Sequence, residues 1–381
     1  MGAQALANSV HAVAKLGYKD DAFMAELVKA ATLQLRDFKP QELANTVWAL
    51  ATLGHTGDDF VVALVKAATP QLHFFNPQDL ANTAWALATL GHTDTAFMAA
   101  LLEVAMPKLR KFSEQSLANT VWALTTLGHK DGDFVAALLK EAMPRLHDFT
   151  PQALANTLWA LATLGHADDD FVAELLNEAM PRLHDFNPQA LSNTAWALAV
   201  LGHANDALMG ALLQHAAGMV LGFSAEGRRQ LFLCMLWLKG QHSDVAVHAQ
   251  LAAACERAWM EERDDPQSPH VQLQVLAVVR QLPGCSGAVS EQATDDGLFN
   301  IDIAVQLPDG SRLAVEVDGP SHFLSNQPGT LGGATLLRNW LLEARGWRVV
   351  SVPVRTGWEP LAKQGKQARR DYLLSLGVGS S

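Results

Sequence analysis

The sequence predicts an α-solenoid of helical hairpins with a 37-residue period, followed by a small α/β domain. One asparagine recurs in six copies, always 37 residues after the previous one: Asn8, Asn45, Asn82, Asn119, Asn156 and Asn193. A fixed period of this length is typical of stacked helical repeats. Beyond about residue 268 the pattern changes to short strands bounded by turn residues. We therefore predict a solenoid over residues 1–240 with six repeats and a capping helix, a helical connector over 241–267, and an α/β domain over 268–381.

Each repeat opens with the signals of a helix start. The predicted N-caps are Asn76, Ser113, Thr150, Asn187 and Ser224. A proline follows the cap in several copies, where its missing N–H costs nothing (Pro77, Pro151 and Pro188). Gly91 is expected to end the first helix in a left-handed conformation. The second helix is predicted from about Thr95 to Leu109.

The first helix carries apolar residues over a wide arc, so it must be buried on two sides. Trp85 shares an apolar stripe with Ala81 and Ala88, and burial between repeats is favoured for it, with base stacking as the alternative. Asn82 falls on a further stripe with Ala86 and Thr89. An amide that is identical in every copy favours a structural bond to the next repeat's backbone, with ligand recognition as the alternative.

Charge limits the ways in which this chain can bind nucleic acid. The formal net charge is −11, with 16 basic and 23 acidic residues up to His242, and 12 basic and 16 acidic residues after it. Contacts to phosphates draw on Lys and Arg, so this balance argues against a simple basic binder. Any affinity must depend on a local patch, or on stacking and hydrogen bonds to bases.

Other features exclude whole classes of site. The three cysteines form no CxxC pair, which excludes a thiolate metal site and favours a reducing compartment. We find neither a long apolar run nor a basic presequence, so no membrane span or targeting peptide is expected. The chain begins inside the first helix of a repeat, which predicts further sequence upstream.

The C-terminal part follows a break at residues 264–269 and reads as an α/β module. The predicted elements are a helix over 268–281, strands over 287–290, 299–306, 312–317 and 348–353, a helix over 333–345 and a charged final helix.

Two acidic residues stand in strands that are otherwise built for burial. Asp302 lies between isoleucines and Glu316 between valines, and a buried carboxylate needs a cation, a metal or several donors. Together with Asp318 they form a candidate Mg²⁺ cluster, with His322 as a candidate general acid or base. The alternative is hydrogen bonding to backbone N–H groups or pairing with Arg338.

The phrase Leu-Ala-Asn-Thr-x-Trp-Ala-Leu-Ala-Thr-Leu-Gly-His resembles the heptatricopeptide and octotricopeptide repeats of organelle RNA-binding proteins. The resemblance covers residues 1 to about 240. It implies a stack of hairpins whose inner face follows single-stranded RNA, in a chloroplast or mitochondrion, with a cytoplasmic location as the alternative. A seventh first helix, from Ser224 to Leu238, carries Gln230 and Leu233 in place of Asn and Trp and is expected to cap the stack. Its Arg228 and Arg229 are candidate phosphate contacts.

Two positions vary between copies at the mouth of the first helix, where helical-repeat RNA binders place base-reading side chains. We expect them to contact RNA, the alternative being ordinary solvated residues. The N-cap position holds Lys39, Asn76, Ser113, Thr150 and Asn187. The position three residues later holds Glu42, Asp79, Ser116, Ala153 and Ala190.

A second resemblance rests on Leu313 to Phe323, Gly346-Trp347 and Trp358, within about residues 298–375. This segment looks like the RAP domain, a module named for an RNA-binding role and similar to the PD-(D/E)-x-K nuclease fold. The likeness implies a restriction-endonuclease-like fold with Asp302 as the first acid and Glu316 as the second. Asp318 stands where the nuclease motif has Lys, which leaves catalysis open, with His322 as a candidate substitute.

These observations lead to three hypotheses. The leading one is an RNA-binding protein whose repeats select a single strand, while the C-terminal module, including Arg338, clamps RNA or supports rRNA processing, RNA stability or translation. The second is a Mg²⁺-dependent endoribonuclease in which Asp302, Glu316 and Asp318 hold the metal. The third is a scaffold that binds proteins through its acidic surface.

Overall fold

The computed structural model describes residues 2–18, 20–55, 58–203, 205–261 and 269–379. The chain forms two compact units. The first comprises Met1–Leu161 and His166–Asp185, and the second comprises Ala162–Gly165 and Phe186–Ser381. Residues 264–268 of the break predicted at 264–269 lie outside the described residues, as does residue 268, the first of the helix predicted over 268–281. The predicted fold class, a helical solenoid followed by a small α/β domain, is confirmed.

The first unit is built from helical hairpins. The first helices of its hairpins are α1 (Ala3–Leu16), α3 (Pro40–Leu53), α5 (Pro77–Thr89), α7 (Glu114–Thr126) and α9 (Pro151–Thr163). The second helices are α2 (Asp21–Thr32), α4 (Asp58–Ala68), α6 (Thr95–Ala105), α8 (Gly132–Ala142) and α10 (Asp169–Ala179). Neighbouring first helices pack side by side, α1 on α3, α3 on α5 and α5 on α7.

Each second helix is followed by a 3₁₀ segment: Leu35–Asp37, Thr69–Phe74, Met106–Lys111, Met143–Asp148 and Met180–Asp185. The prediction that the second helix runs to Leu109 is therefore wrong. Helix α6 ends at Ala105, because Pro107 has no N–H to continue the α-helical bonding and stands instead in the first turn of the 3₁₀ segment.

The predicted caps are confirmed. The Asn76 side chain accepts a hydrogen bond from the Asp79 N–H at 2.9 Å, and the Asp79 carboxylate accepts one from the Asn76 N–H at 3.1 Å. Ser113, Thr150, Asn187 and Ser224 each accept a hydrogen bond from the N–H three residues later. Gly91 has φ of +67°, and the His92 N–H donates back to the Leu87 carbonyl, which completes the helix end.

Hydrogen bonds between consecutive repeats form a regular ladder, which we call the repeat clamp. A long side chain in each of the four 3₁₀ segments from Thr69–Phe74 onward donates to the carbonyl of the phenylalanine 33 residues earlier. The pairs are Gln71 with Phe38, Lys108 with Phe75, Arg145 with Phe112, and Arg182 with Phe149, at 3.2, 2.8, 2.7 and 2.7 Å. The four phenylalanine side chains are fully buried, so each clamp holds the junction between repeats at its core.

The second unit begins with four helices: α11 (Pro188–Leu201), α12 (Asp206–Ala217), α13 (Ala225–Gly240) and α14 (Ala249–Glu261). Between α12 and α13 lies a 3₁₀ turn, Val220–Gly222. Helix α13 is the predicted capping helix. It packs between α11 and α14, and its Gln230 is buried.

The rest of the second unit is the α/β module. Its helices are α15 (Pro269–Val279), α16 (Gly333–Glu343) and α17 (Gly365–Ser375), with shorter helical turns at Pro320–His322, Val354–Trp358 and Glu359–Lys363. Its strands are β1 (Val289–Ala293), β2 (Asn300–Gln306), β3 (Arg312–Asp318), β4 (Phe323–Leu324), β5 (Gln327–Leu331) and β6 (Trp347–Pro353). The main sheet has the order β1-β2-β3-β6, with β6 parallel to β3 and the other pairs antiparallel.

The sheet is covered on both faces. Val315 and Val352 lie in an apolar core with Val275 and Val279 of α15, Leu373 of α17 and the fully buried Trp358. Arg338 of α16 bonds to Glu316 on the opposite face. Helix α16 also packs against α11 and α13. This packing groups the last helices with the sheet, so the compact units divide near residue 185, whereas the predicted domain boundary lies at residue 240.

Candidate nucleic-acid interface

The five predicted contacts at the N-cap position lie at the surface but are largely occupied. Lys39, Asn76, Ser113, Thr150 and Asn187 are all exposed. In all but Lys39, the side-chain oxygen accepts the capping hydrogen bond described above. Of this set, Lys39 offers a side chain that takes no part in its cap.

The position three residues later does not face solvent. Glu42, Asp79, Ser116 and Ala190 are buried and Ala153 is half-buried. The Glu42 carboxylate accepts a bond from the Lys39 N–H at 2.9 Å, as Asp79 does with Asn76. The Glu42 and Asp79 side chains close their helix starts as capping boxes and so do not face a ligand, whereas RNA contact by Ser116, Ala153 and Ala190 stays a prediction.

A different set of side chains forms a continuous surface on the first helices. In α3, Gln41, Asn45, Trp48 and Thr52 lie on one face, since they are separated by four, three and four residues. Gln and Thr are exposed, and Asn and Trp are half-buried. The same four residues recur as Gln78, Asn82, Trp85 and Thr89 in α5 and as Gln115, Asn119, Trp122 and Thr126 in α7. We call this surface the amide–tryptophan stripe.

The stripe changes at the first helix and continues into α9. In α1 the equivalent residues are Gln4, Asn8, His11 and Lys15, and in α9 they include Gln152, Asn156 and Trp159. The rings of His11 and Trp48 lie 5.1 Å apart, so equivalent positions of consecutive repeats are in contact. Burial and the nearby Lys15 lower the pKa of His11, which favours its neutral form near neutral pH.

The amides of the stripe are available to a ligand. Within the described ranges, the side chains of Asn45, Asn82 and Asn119 make no hydrogen bond to another residue, so the favoured structural bond to the next repeat is absent. Each half-buried tryptophan also keeps part of its ring open, whereas Trp196 is buried at 5% exposure. Amides that donate and accept, next to aromatic faces, are the groups that bind unpaired bases without phosphate contacts.

The remaining predicted RNA contacts are three half-buried arginines. Arg228 and Arg229 are half-buried, and Arg229 pairs with Glu226 at 2.5 Å. Arg338 donates to Glu316 at 2.8 and 3.1 Å and to the Asn300 carbonyl at 2.6 Å. Arg229 and Arg338 therefore bond to acidic side chains of the protein, and the contact of these three arginines with RNA stays a prediction.

Two of the predicted catalytic acids lie together on the sheet. The register that pairs Ile303 with Val315 places Asp302 beside Glu316 on neighbouring strands. Asp302 Oδ2 accepts a bond from the Val317 N–H at 2.7 Å, while Glu316 is paired with Arg338. Burial and the Glu316 charge raise the pKa of Asp302 to about 7, against the opposing effects of the Val317 N–H and Arg338.

Asp318 and His322 form a separate pair. His322 Nδ1 lies 3.0 Å from Asp318 Oδ1 and 3.3 Å from the Thr335 hydroxyl. Asp318 is 3% exposed and His322 is half-buried.

These residues do not fit a divalent metal. One oxygen of each carboxylate has a partner, a backbone N–H for Asp302, an arginine for Glu316 and a histidine for Asp318, while Glu316 Oε1 and Asp318 Oδ2 are buried without one among the described residues. Nowhere in the described part of the chain do three or more His, Cys, Asp or Glu side chains come together as a metal site. The predicted Mg²⁺ cluster of Asp302, Glu316 and Asp318 is thus not assembled, and the alternative of backbone and Arg338 partners is what the structure has.

Two family models match the chain, one over the helical repeats and one over the C-terminal module. The model of the Tbc2 translation factor N-terminal domain matches residues 1–113 and 91–208, which together span more than half of the 381 residues. The chain belongs to the Tbc2 N-terminal domain family. In this Tbc2-family chain a second model, the RAP domain, matches residues 315–376. The match includes Glu316, Asp318 and His322, whereas Asp302 lies outside it.

None of the curated proteins matches the chain. Among the helices within the described ranges, none combines the length and the apolar character that a membrane crossing requires.

Proposed function

We propose that this protein binds single-stranded RNA along the amide–tryptophan stripe and supports the translation, processing or stability of that RNA. The translation-factor family of its repeats and the RAP domain at its C-terminus both support an RNA-related role. We include in the proposal that the repeats act as heptatricopeptide or octotricopeptide repeats do, and that the protein works in a chloroplast or mitochondrion. Both points rest on the resemblance of the repeat phrase.

The observation that carries this proposal is the set of uncommitted amides on adjacent helices. Helices α3, α5 and α7 present Gln41, Gln78 and Gln115 to solvent, each in line with an asparagine and a half-buried tryptophan. Neighbouring packed helices lie about 8–10 Å apart, so the stripe offers regularly spaced sites to an extended chain. Because every copy offers the same groups, we expect little discrimination between bases.

The charge of the protein predicts an unusual salt dependence. Binding by stacking and amide hydrogen bonds releases few counterions, so the logarithm of the affinity should fall only weakly with the logarithm of salt concentration. A steep salt dependence would indicate instead that phosphate contacts carry the binding.

The stripe can be tested by removing its exposed amides. The triple change Gln41→Ala, Gln78→Ala and Gln115→Ala should weaken binding of single-stranded homopolymer RNA at least about tenfold, since each lost hydrogen bond contributes on the order of 1 kcal/mol. The matched control is Asn177→Ala, which removes an exposed amide from α10. Fluorescence anisotropy with labelled RNA measures the affinity. Equal affinity of the triple variant and the control would exclude the stripe as the RNA surface.

The two alternatives give different outcomes in the same experiments. The endonuclease would cleave RNA when Mg²⁺ is present, although one oxygen each of Glu316 and Asp318, which would hold the metal, is engaged by Arg338 and His322. A protein scaffold would show no retention of single-stranded RNA at any salt concentration, and its partners would bind through acidic side chains.

A further inference from the structure

A pocket opens in the RAP domain at the ends of two neighbouring parallel strands. It has a volume of about 370 Å³ and is lined by residues that directly follow β3 and β6 and by the β4–β5 hairpin. In α/β sheets, ligands commonly bind outside the carboxyl ends of the strands. The volume falls within the range of about 300–1,000 Å³ that small-molecule sites occupy.

One residue of the pocket lining, Asp318, carries a buried acceptor that lacks a donor. Asp318 is 3% exposed, and His322 bonds to its Oδ1. Its Oδ2 is buried and has no hydrogen-bond partner among the described residues. A buried carboxylate oxygen without a donor is costly, so this arrangement favours a ligand that brings N–H groups to it.

The other lining residues define the rest of the ligand. Arg355 is exposed and forms no ion pair with any residue that the structure describes, so it offers a positive charge to an anion. Phe323, Pro328 and Pro353 supply ring surfaces. The complementary ligand thus has flat apolar faces, N–H donors at one end and a negative charge at the other.

We propose that this pocket binds the guanine base of one unpaired nucleotide, with Asp318 accepting hydrogen bonds from the base and Arg355 pairing with its phosphate. Guanine presents two adjacent N–H donors on its Watson–Crick edge, where adenine and cytosine each place an acceptor beside the amino group. A carboxylate accepts two such donors side by side, and its Oδ1 keeps a second lone pair beside the bond to His322. That the nucleotide belongs to a bound RNA rests on the proposed function.

Other small ligands fit fewer of these features. An amine or guanidinium would match Asp318 but would be repelled by Arg355. An amino acid would satisfy both charges but would leave the ring surfaces without a flat partner. The pocket is also distinct from the pair formed by Asp302 and Glu316, because neither of these residues lines it.

Calorimetric titration of the full chain with mononucleotides tests the proposal. Guanosine 5′-monophosphate should bind about tenfold more tightly than inosine 5′-monophosphate, which lacks only the 2-amino group and so loses one hydrogen bond to a charged acceptor. Adenosine, cytidine and uridine monophosphates should bind more weakly still. Binding of an amino-acid mixture in preference to guanosine monophosphate, or equal binding of the guanosine and inosine nucleotides, would overturn the assignment.

Two variants separate the roles of the base and the phosphate. Asp318→Asn should remove the preference for guanosine over inosine monophosphate. Arg355→Ala should weaken all mononucleotides by a similar factor and leave the nucleoside guanosine unaffected. Circular dichroism shows whether Asp318→Asn folds. If it does not, Arg355→Ala still tests the proposal, because Arg355 is exposed and its removal should not disturb the fold. Lys363→Ala is the matched control, an exposed cation outside the pocket lining, and should change nothing.

The proposal for the guanine pocket and the proposal for the amide–tryptophan stripe can be disproved independently. The triple glutamine variant of the stripe should bind guanosine monophosphate like the natural sequence while losing affinity for homopolymer RNA. Retained binding of the mononucleotide with no binding of RNA by either protein would remove the proposed function and leave the guanine pocket. The reverse result would remove the pocket alone.

Discussion

At the scale of single residues, the most constrained group is the cluster of Asp302, Glu316 and Arg338. Two carboxylates on neighbouring strands share one guanidinium, which donates to Glu316. The cluster therefore has one negative charge in excess when both acids are ionised. Burial, and after it the Glu316 charge, raise the pKa of Asp302 to about 7, so this carboxyl group is largely protonated in mildly acidic solution.

This raised pKa predicts a particular dependence of stability on pH. Between the ordinary value of 3.8 and about 7, the folded protein binds more protons at Asp302 than the unfolded chain does. Its contribution to stability is therefore complete below about pH 4 and is lost as the pH rises through 7. In Asp302→Asn, whose amide oxygen can still accept from the Val317 N–H, this decline should disappear. Urea unfolding of both proteins from pH 4 to pH 8 measures the difference, and parallel profiles would contradict the assignment.

At the scale of elements, the repeat clamp explains how neighbouring hairpins keep one fixed junction. Each clamp satisfies a carbonyl at the start of a first helix, next to a buried phenylalanine. Lys108 fills this position in one repeat, and Arg145 and Arg182 fill it in later ones, so the donor matters more than the shape of the side chain.

The clamp gives a prediction with an internal control. Arg145→Ala should lower the free energy of unfolding by about 1–2 kcal/mol, since it removes a hydrogen bond and leaves the Phe112 carbonyl without its donor. Arg145→Lys should retain most of that stability, because a lysine already makes the bond in a neighbouring repeat. Denaturant unfolding measures both changes. Equal losses in the two variants would show that the guanidinium shape, or its contact with Glu114, dominates.

The elements also show how far the sequence can be read. The helix starts at Asn76, Ser113 and Thr150 were predictable because an N-cap is a local interaction. The hairpin of β4 and β5 was missed, since Gln327-Pro328-Gly329 reads as a loop. Strand β1 runs over Val289–Ala293, whereas 287–290 was predicted, because strand pairing sets its position.

The site was harder to predict than the fold. The side chain of Asp79 was expected to face a ligand, but it closes its own helix start. Gln78 recurs in every copy from α3 to α11, and its fixed offset from Asn82 is the sequence signal that could have pointed to the stripe. The identity of a residue in the first turn of a helix does not show whether its side chain already bonds to the backbone of that helix. The structure is needed to distinguish a capping side chain from one that can contact a ligand.

At the scale of the whole molecule, the α/β module of the second unit is held to the last helices by close packing. The backbone of Gly333, at the start of α16, approaches the carbonyl of Ala162, which is part of the second unit, so closely that a Cβ there would lie 2.2 Å from the oxygen. Gly240 of α13 meets Trp340 of α16, and the rings of Trp237 and Trp340 lie 6.0 Å apart.

This packing predicts that one methyl group loosens the second unit. Gly333→Ala should lower the thermal unfolding temperature by several degrees, because a backbone carbonyl cannot move aside without shifting its helix. Gly210→Ala is the matched control, since a Cβ at that position in α12 meets nothing within 4 Å and a helix interior favours alanine. Differential scanning fluorimetry measures both. An unchanged unfolding temperature of Gly333→Ala would show that the backbone at Gly333 has room for a methyl group and that this packing is not tight.

The repeat clamp has a consequence for how such an array changes in evolution. Every junction that it holds uses the same acceptor atom and an interchangeable donor, always 33 residues apart. A gene that gains or loses a whole 37-residue copy therefore recreates the repeat clamp at the new junction without any compensating substitution. The number of units is therefore free to change by duplication and deletion while each junction stays the same.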